Sequence, residues 1–529
     1  MSFDLLEEAW IPVSFSDGES VDLSLRRIFR QADKIRRISC DLPTQSFAVL
    51  RVLLAIAHDA IGFRSPDSII RAAEQGLDTD AIDSYLDRYS DRFDLFHPTR
   101  PFMQVATLRT AKGEVSGLEK LISDVPNREQ FLTVRAGRGL EVITAADAAR
   151  WLIHCQAFDP AGIRSGAVGD PEASGGRGYP IGPAWAGQIG GVILHGRSLA
   201  ETIVYNLAPT RSNPDDRPVW ALDEPHTQLR EMEPEIPGPL TVLTWQSRRI
   251  RLAGDRDGVT GVVLAQGDKM TPQNRRNVEH MTSWRFSEPQ TKKHGIDVYM
   301  PMKHDPERSG WRGAPHLIQR GLERDGRFQT LPSATIENLS VLQEQLRSHH
   351  KVQVEIVGID YGPQEATVAE LVHDQLDLQV ALLGTQGAAV RTMVNDAVGL
   401  ANDCVYALGR LAGNLAAASG DFDGIDGAQN RAKLTAWSML DAPARDWLAS
   451  LNADTDTIEA KREWSREIRL RLEELARELV NGCSPAAVIG RKTKHGFLTA
   501  SKAEAFFHHA LRKELPLAYE TTPRSSHER

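Results

Sequence analysis

The chain has 529 residues, which at ~100–200 residues per domain allows two to four domains. It sets 62 Lys/Arg against 71 Asp/Glu, a formal charge of −9, with 41% hydrophobic and 25% charged residues, the composition of an ordinary globular protein. That balance excludes a protein that coats nucleic acid with a uniformly basic surface, but it leaves room for a local basic patch, because total charge does not fix where charges sit.

Cys40, Cys155, Cys404 and Cys483 lie far apart with no Cys-x-x-Cys pair, which argues against a zinc ribbon or a disulfide-dense secreted scaffold. The opening Met1-Ser2-Phe3-Asp4 is acidic where a signal peptide is basic and then apolar. The most apolar early stretch, 47–57, is interrupted by Arg51 and is too short to span a bilayer. A cytoplasmic chain without membrane contact is expected.

Phe47, Leu50, Leu53, Leu54 and Ala57 recur at helical spacing and predict a core helix capped by Thr44 or Ser46. The texture changes at 161–196, where eleven of 36 residues are glycine. Such a segment is either a plain flexible loop or one that holds something, since glycine admits positive φ and close backbone approach. Thr241-Val242-Leu243-Thr244-Trp245, 249–252 and 259–264 read as short strands, with a hairpin turn at Asp257-Gly258. Residues 269–320 then hold ten Lys/Arg against five Asp/Glu, with four histidines and Trp284, Phe286, Tyr299 and Trp311. Basic residues interleaved with aromatics suit phosphate contact and base stacking, or else a solvated charged loop.

From about residue 372 helix patterns dominate. Leu376, Val380, Leu383, Gly387, Val390, Val394, Val398 and Ala401 form one stripe, and Trp464, Ile468, Leu472, Leu475 and Leu479 another. The second starts at Asp454 or Thr455 and stops at Asn481-Gly482, with Pro485 beyond. Segments 428–451 and 499–514 complete a bundle of four. The expected fold is α+β: a large mixed N-terminal body with short β-sheets over 1–370, then a C-terminal four-helix bundle over 371–529 that frays after residue 520.

No constellation points to catalysis. His154-Cys155 lies in an apolar helix where adjacent side chains diverge, so a packed cysteine is expected. His349-His350 and His508-His509 lack the i,i+4 spacing of a helical metal site. Asp421-Phe422-Asp423-Gly424-Ile425-Asp426-Gly427 lacks the spacing and closing glutamate of a calcium loop. Gly490-Arg491-Lys492-Thr493 lacks the preceding glycine of a phosphate-binding loop. A binding protein without cofactor or metal is expected rather than an enzyme.

Leu5-Leu6-Glu7-Glu8-Ala9-Trp10-Ile11-Pro12-Val13 resembles the N-terminal signature of the CasA family, the large subunit of the type I-E Cascade complex in CRISPR antiviral defence. Pro101-Phe102-Met103-Gln104, Gln130-Phe131-Leu132-Thr133, the glycine-rich segment and the terminal bundle follow in the family's order. The resemblance implies partners: the other Cascade subunits, the 5′ end of the CRISPR RNA, target duplex DNA and a helicase-nuclease. It also implies a division of labour in which RNA reads the target by pairing. The large subunit recognises the protospacer-adjacent motif, promotes strand separation and R-loop formation, and docks the nuclease.

The family's glycine loop is matched by Gly162, Ile163, Arg164, Ser165 and Gly166, with Arg164 and Ser165 where its best-known members are richer in glycine. The resemblance therefore gives Arg164 a contact of its own with phosphate or groove. A minor-groove lysine is replaced by Arg275 or Arg276, and guanidinium suits a narrow groove. The strand-splitting wedge matches Tyr361-Gly362-Pro363-Gln364-Glu365-Ala366-Thr367; Gln364 is favoured over Glu365, which phosphates would repel, unless this is an ordinary turn. Phe131, Leu132, Thr133 and Arg135, flanked by Arg128 and Arg138, correspond to docking on RNA and the neighbouring subunit. Arg491, Lys492, Lys494, Lys502, Arg512 and Lys513 form a basic face expected to guide the displaced strand, or else to serve as a plain protein-docking surface. A protein-interaction scaffold with little nucleic-acid contact is the alternative, and a nucleotide-processing enzyme a third reading.

Overall fold

The structure, a computed structural model, describes residues 2–125, 141–210, 213–223, 235–343, 350–493 and 496–520. It is mixed α+β and divides into two compact units. The first comprises Met1–Arg308, Gln319–Arg347 and Val352–Gln375; the second comprises Ser309–Ile318, Ser348–Lys351 and Leu376–Arg529.

The first unit is organised around the helix Pro43–Ile61, which packs against Ala145–Phe158. It is longer than the 47–57 stretch and, by length and composition alone, long enough to cross a membrane, yet most of it is buried within the unit. Neither Thr44 nor Ser46 caps it. Pro43 occupies the first turn, where its missing N–H is no loss. Thr44 pairs with His154 at 3.0 Å and Ser46 Oγ accepts the Cys40 N–H at 3.1 Å. Arg51, which breaks the apolar run, is 3% exposed and paired at 2.9 Å with Glu279, itself 1% exposed. Trp185 Nε1 also donates to Glu279, at 2.7 Å.

Three short antiparallel sheets surround this core. Ser20–Leu23, Ile11–Phe15 and Ile35–Ile38 form the first; Tyr299–Pro301, Trp284–Phe286 and Thr330–Leu331 another. In the third, Lys351–Tyr361 lies between Gly191–His195 and Val368–Gln379. Arg248–Asp255 and Gly258–Gln266 form a long hairpin that turns at Arg256-Asp257. The strand expected over 241–245 is instead the helix Pro239–Leu243, because the Asp216 carboxylate accepts the free Leu240 and Thr241 N–H groups at 3.2 and 2.9 Å.

In the second unit, Ala388–Ser419, Ile425–Ser450, Thr457–Asn481 and Ala500–Glu514 form the helical body. The first begins later than its stripe suggested. Leu376 and Leu378 belong to a strand, Val380 to a 3-10 turn, and the helix starts only after Gly387, where a Cβ would lie 2.3 Å from the Leu382 carbonyl. Asp456, rather than Asp454 or Thr455, caps the third helix by accepting the Ile458 and Glu459 N–H groups. Gly310–Ile318 joins this unit through Trp311, whose ring meets Trp464 at 5.9 Å and Trp437 at 5.8 Å. Trp311 and Trp284 are therefore core residues, and neither is exposed for stacking. The expected fraying at 521–529 lies outside the described residues.

Candidate nucleic-acid interface

Two backbone features of the first unit meet. The helix Ala145–Phe158 ends at Asp159 and leads into the glycine-rich segment, which is folded rather than left as a plain loop: Arg164–Ser165 pairs with Arg177–Gly178. Gly166 is required there, because a Cβ would lie 2.9 Å from the Gly176 carbonyl carbon and 3.0 Å from Arg177 N. Gly162 adopts φ +153° and its carbonyl accepts from Gln266 Nε2 at 2.8 Å, which anchors the loop to the end of the long hairpin. Ile163 projects into solvent, 53% exposed.

The second feature is the turn that joins Lys351–Tyr361 to Val368–Gln379. Gly362 N–H donates to Thr367 O at 2.9 Å and closes the turn, Pro363 fixes one φ, and Gln364 and Glu365 both take left-handed φ, +59° and +54°. Two consecutive non-glycine residues in that region mark a constrained tip. Gln364, Glu365 and Ala366 are exposed. Glu365 is tied down by Lys303 Nζ at 3.1 Å, whereas the Gln364 side chain has no hydrogen bond among the described residues. Lys303 also lies 5.8 Å from the centroid of the Tyr361 ring.

Loop and turn are bonded to one another. Ala161 N–H donates to Glu365 O at 2.8 Å, and the buried Tyr361 hydroxyl donates to Phe158 O at 2.7 Å. Burial, aided by Asp159, holds the Tyr361 pKa well above the phenol range, so this hydroxyl stays a donor. Arg164, Ala366 and Thr367 line one cavity of about 80 Å³.

Arg164 does not face solvent. Its guanidinium donates to Asp159 from Nε at 3.0 Å and Nη2 at 2.6 Å, and to Pro160 O at 2.7 Å. Arg248, with a fully buried side chain, donates to the same carboxylate at 2.5 Å and to Pro160 O and Gly182 O at 3.0 and 2.9 Å. The expected Arg164 contact with DNA is therefore replaced by an internal anchor. Burial works against the Arg164 charge, yet Asp159 holds its pKa above the ordinary value.

Arg275 and Arg276 are also committed elsewhere. Arg275 Nε donates to Thr271 O at 3.0 Å, and Arg276 pairs with Glu337. Arg177, opposite Ser165 in the ladder of the glycine-rich segment, is exposed, as is Lys269, three residues beyond Gln266. Lys269, Lys303, Asp159 and Arg248 were not legible as parts of a site. Only Lys303 and Lys269 carried a signal, as members of the basic stretch.

In the second unit, Arg491 Nη2 donates to Ser419 O at 2.8 Å, Arg512 lies over Tyr519, and Lys513 sits 3.5 Å from Glu514. Lys492 and Lys502 are exposed. Lys494 and the docking residues Phe131, Leu132, Thr133 and Arg135, with Arg128 and Arg138, lie outside the described residues. The Asp421 carboxylate accepts the Gly424 N–H at 2.8 Å as an ordinary turn between helices. Burial holds the His154 pKa at about 3 and raises that of Cys155, so this pair is a neutral part of the core.

A model of the CRISPR-associated protein Cse1 family matches residues 4–475. CasA/Cse1 of Thermus thermophilus is 29% identical over 356 residues, 65% of this chain, which spans 64% of that relative's length. The crystal structure of Thermobifida fusca Cse1 matches with a TM-score of 0.89 at 41% identity, covering 98% of this chain and 99% of that one. Cse1 from Acidimicrobium ferrooxidans matches with 0.83 at 28% identity, over 98% of both chains.

Proposed function

The chain belongs to the Cse1 (CasA) family, the large subunit of the type I-E Cascade complex in CRISPR defence, and from that premise we propose that it recognises the protospacer-adjacent motif on duplex DNA and opens the duplex beside it. The observation that carries this reading is the bond from Ala161 N–H to Glu365 O, which makes the glycine loop and the turn one hydrogen-bonded body. A minor groove is ~6 Å wide, and glycines at 162 and 166 let the backbone of 162–166 approach closely, with Ile163 at its exposed point. Lys269, exposed three residues beyond Gln266, takes the cationic role in preference to Arg275 and Arg276, whose head groups have internal partners.

Gln364 is the wedge residue. Its constrained φ keeps the tip stiff, and a stiff tip is needed to displace a stacked pair. Glu365 holds Lys303 and its carboxylate is thereby kept from neighbouring phosphates. In this reading the N-terminal body, 1–370, carries motif recognition and docks on the CRISPR RNA 5′ end and the neighbouring subunit through 131–135. The helical part, 371–529, carries the displaced strand, and the helicase-nuclease arrives once the duplex is open. Comparison of duplexes with and without the motif, in a reconstituted complex with and without this subunit, tests the reading. Unchanged duplex binding on omission would overturn it. Gln364→Ala and Glu365→Ala, followed by permanganate footprinting, test the wedge: opening is expected to fall in the first, and unaltered opening in both would remove the assignment.

A further inference from the structure

The two strands of the glycine-rich segment present unequal faces. Successive residues of a strand point to opposite sides, and directly paired residues share a side. Arg164 and Gly178 therefore face one way, Ser165 and Arg177 the other. The Arg164 side is internal, with its guanidinium on Asp159 and its side chain 11% exposed. The Arg177 side is open. Arg177 is exposed, and its guanidinium has no partner among the described residues. Two residues on, Tyr179 is 58% exposed, and its hydroxyl likewise has no partner among the described residues. Pro180 favours extended backbone at Tyr179, which continues the face begun by Arg177. Gln266 pins both strands: its Nε2 donates to Gly162 O at 2.8 Å and to Gly178 O at 3.4 Å. A guanidinium and a phenol thus stand two residues apart on one side of an anchored ribbon.

The chemistry of the pair selects what it meets. Arg164, Arg248 and Arg249 are each paired with a carboxylate, whereas Arg177 is left with its charge and its donors unused. A guanidinium suits the negative potential of a narrow, A·T-rich minor groove. A G·C pair instead places an amino donor on the groove floor, facing the arginine's own donors. The phenol beside it can accept a hydrogen bond as well as donate one, so it can pair with a base edge or with the guanidinium's neighbouring phosphate. We propose that Arg177 and Tyr179 are specificity-determining side chains that enter the minor groove beside 162–166 and favour A·T over G·C pairs in the flanking motif. This rests on the motif-recognition reading above and adds side-chain readout to its backbone approach.

Binding of a flanking-motif library to the assembled complex, at several salt concentrations, tests the assignment. Neither side chain has a hydrogen-bond partner in the fold, so wild-type urea unfolding is expected of every variant. Wild type should prefer A·T over G·C at a position of the motif, and inosine in place of that guanine, which removes the 2-amino group, should restore tight binding. Arg177→Ala should weaken the A·T duplexes about tenfold and leave the G·C duplexes nearly unchanged. Arg177→Lys keeps the charge without the planar fork and should not restore the preference. Tyr179→Phe should narrow the same preference about threefold, and each residue is judged by its own variant. Uniform weakening across motifs, a salt slope flattened by about 0.9 and rescue by lysine would assign Arg177 to phosphate and overturn the proposal. Loss of another subunit from the variant complexes would overturn it too, by assigning the face to protein docking. Full selectivity in the variants would remove the ribbon assignment and leave motif recognition standing, whereas a wild-type complex without motif preference would overturn both.

Discussion

Arg164→Ala separates an arginine that contacts DNA from one that anchors the loop proposed to read it. Deleting a cation that binds a duplex phosphate flattens the dependence of log affinity on log salt by about 0.9. In the structure the guanidinium is turned inward onto Asp159, 11% exposed at its side chain, and so the slope should stay unchanged. Alanine removes two charge-assisted bonds to Asp159 and one to Pro160 O, while Arg248 keeps the carboxylate partnered at 2.5 Å. Since bonds to charged groups contribute ~1.5–3 kcal/mol and do not add, the expected loss of stability is about 2–3 kcal/mol. Asp159→Asn is harsher. It leaves two inward guanidinium groups against a neutral amide and should cost about 3–5 kcal/mol. Once the anchor is gone, the loop must be ordered on binding, at ~1–2 kcal/mol per residue fixed, which lowers affinity for motif-bearing duplex about tenfold. Urea unfolding and duplex titrations between 50 and 200 mM salt measure both quantities. A slope flattened by about one, with wild-type stability, would refute the anchor and restore the groove contact.

Two further predictions concern buried charge in the first unit. Glu279→Gln leaves Arg51 unpaired in the core and should cost about 3–5 kcal/mol in urea unfolding, whereas replacing both residues with apolar ones of similar volume should cost much less; equal losses would show that packing, not the charge pair, sets the cost. Glu355 accepts from His195 and from His373 at 3.0 Å. Burial alone would raise its pKa, but the two imidazoles outweigh burial and hold it at about 2. Its stabilising contribution is therefore present above the ordinary value of 4.5 and lost as pH falls towards 2. The hydrogen bond to Glu355 raises the His373 pKa, so that contribution is complete below 6.5 and lost as pH rises through the raised value. Wild type should accordingly lose more melting temperature between pH 5.5 and 8.5 than Glu355→Gln does, and parallel losses would exclude the cluster as a source of pH dependence.

Elements whose cause is local were legible in the sequence. The stripe from Trp464 to Leu479 became Thr457–Asn481, and the strands around Asp257-Gly258 became the long hairpin. Elements whose cause is distant were not. Pro239–Leu243 is a helix because Asp216 supplies its first turn with an acceptor. Leu376 and Leu378 sit in a strand because Lys351–Tyr361 provides the neighbouring ladder. Periodicity alone cannot distinguish these from their alternatives, since either pattern tolerates the same apolar residues until a partner is chosen.

The same distinction governs the site. Chain position located the glycine loop and the turn, but what each charged side chain does depends on partners far along the chain: Arg248 on Asp159 across 89 residues, Arg276 on Glu337 across 61, Lys303 on Glu365 across 62. The basic stretch 269–320 therefore offers less free charge than its composition implies. Glu337 and Glu365, both from outside it, take up Arg276, Arg320 and Lys303, while Lys292 pairs with Glu288 inside it. An acidic chain that turns its arginines inward gains little from nonspecific phosphate attraction, because an ion-paired guanidinium adds little to the long-range field. Weak general attraction suits a protein that must release one duplex position to sample the next. In the proposed reading selectivity comes from shape, from the bonded loop and turn, and the formal charge of −9 becomes a limit on where DNA can touch.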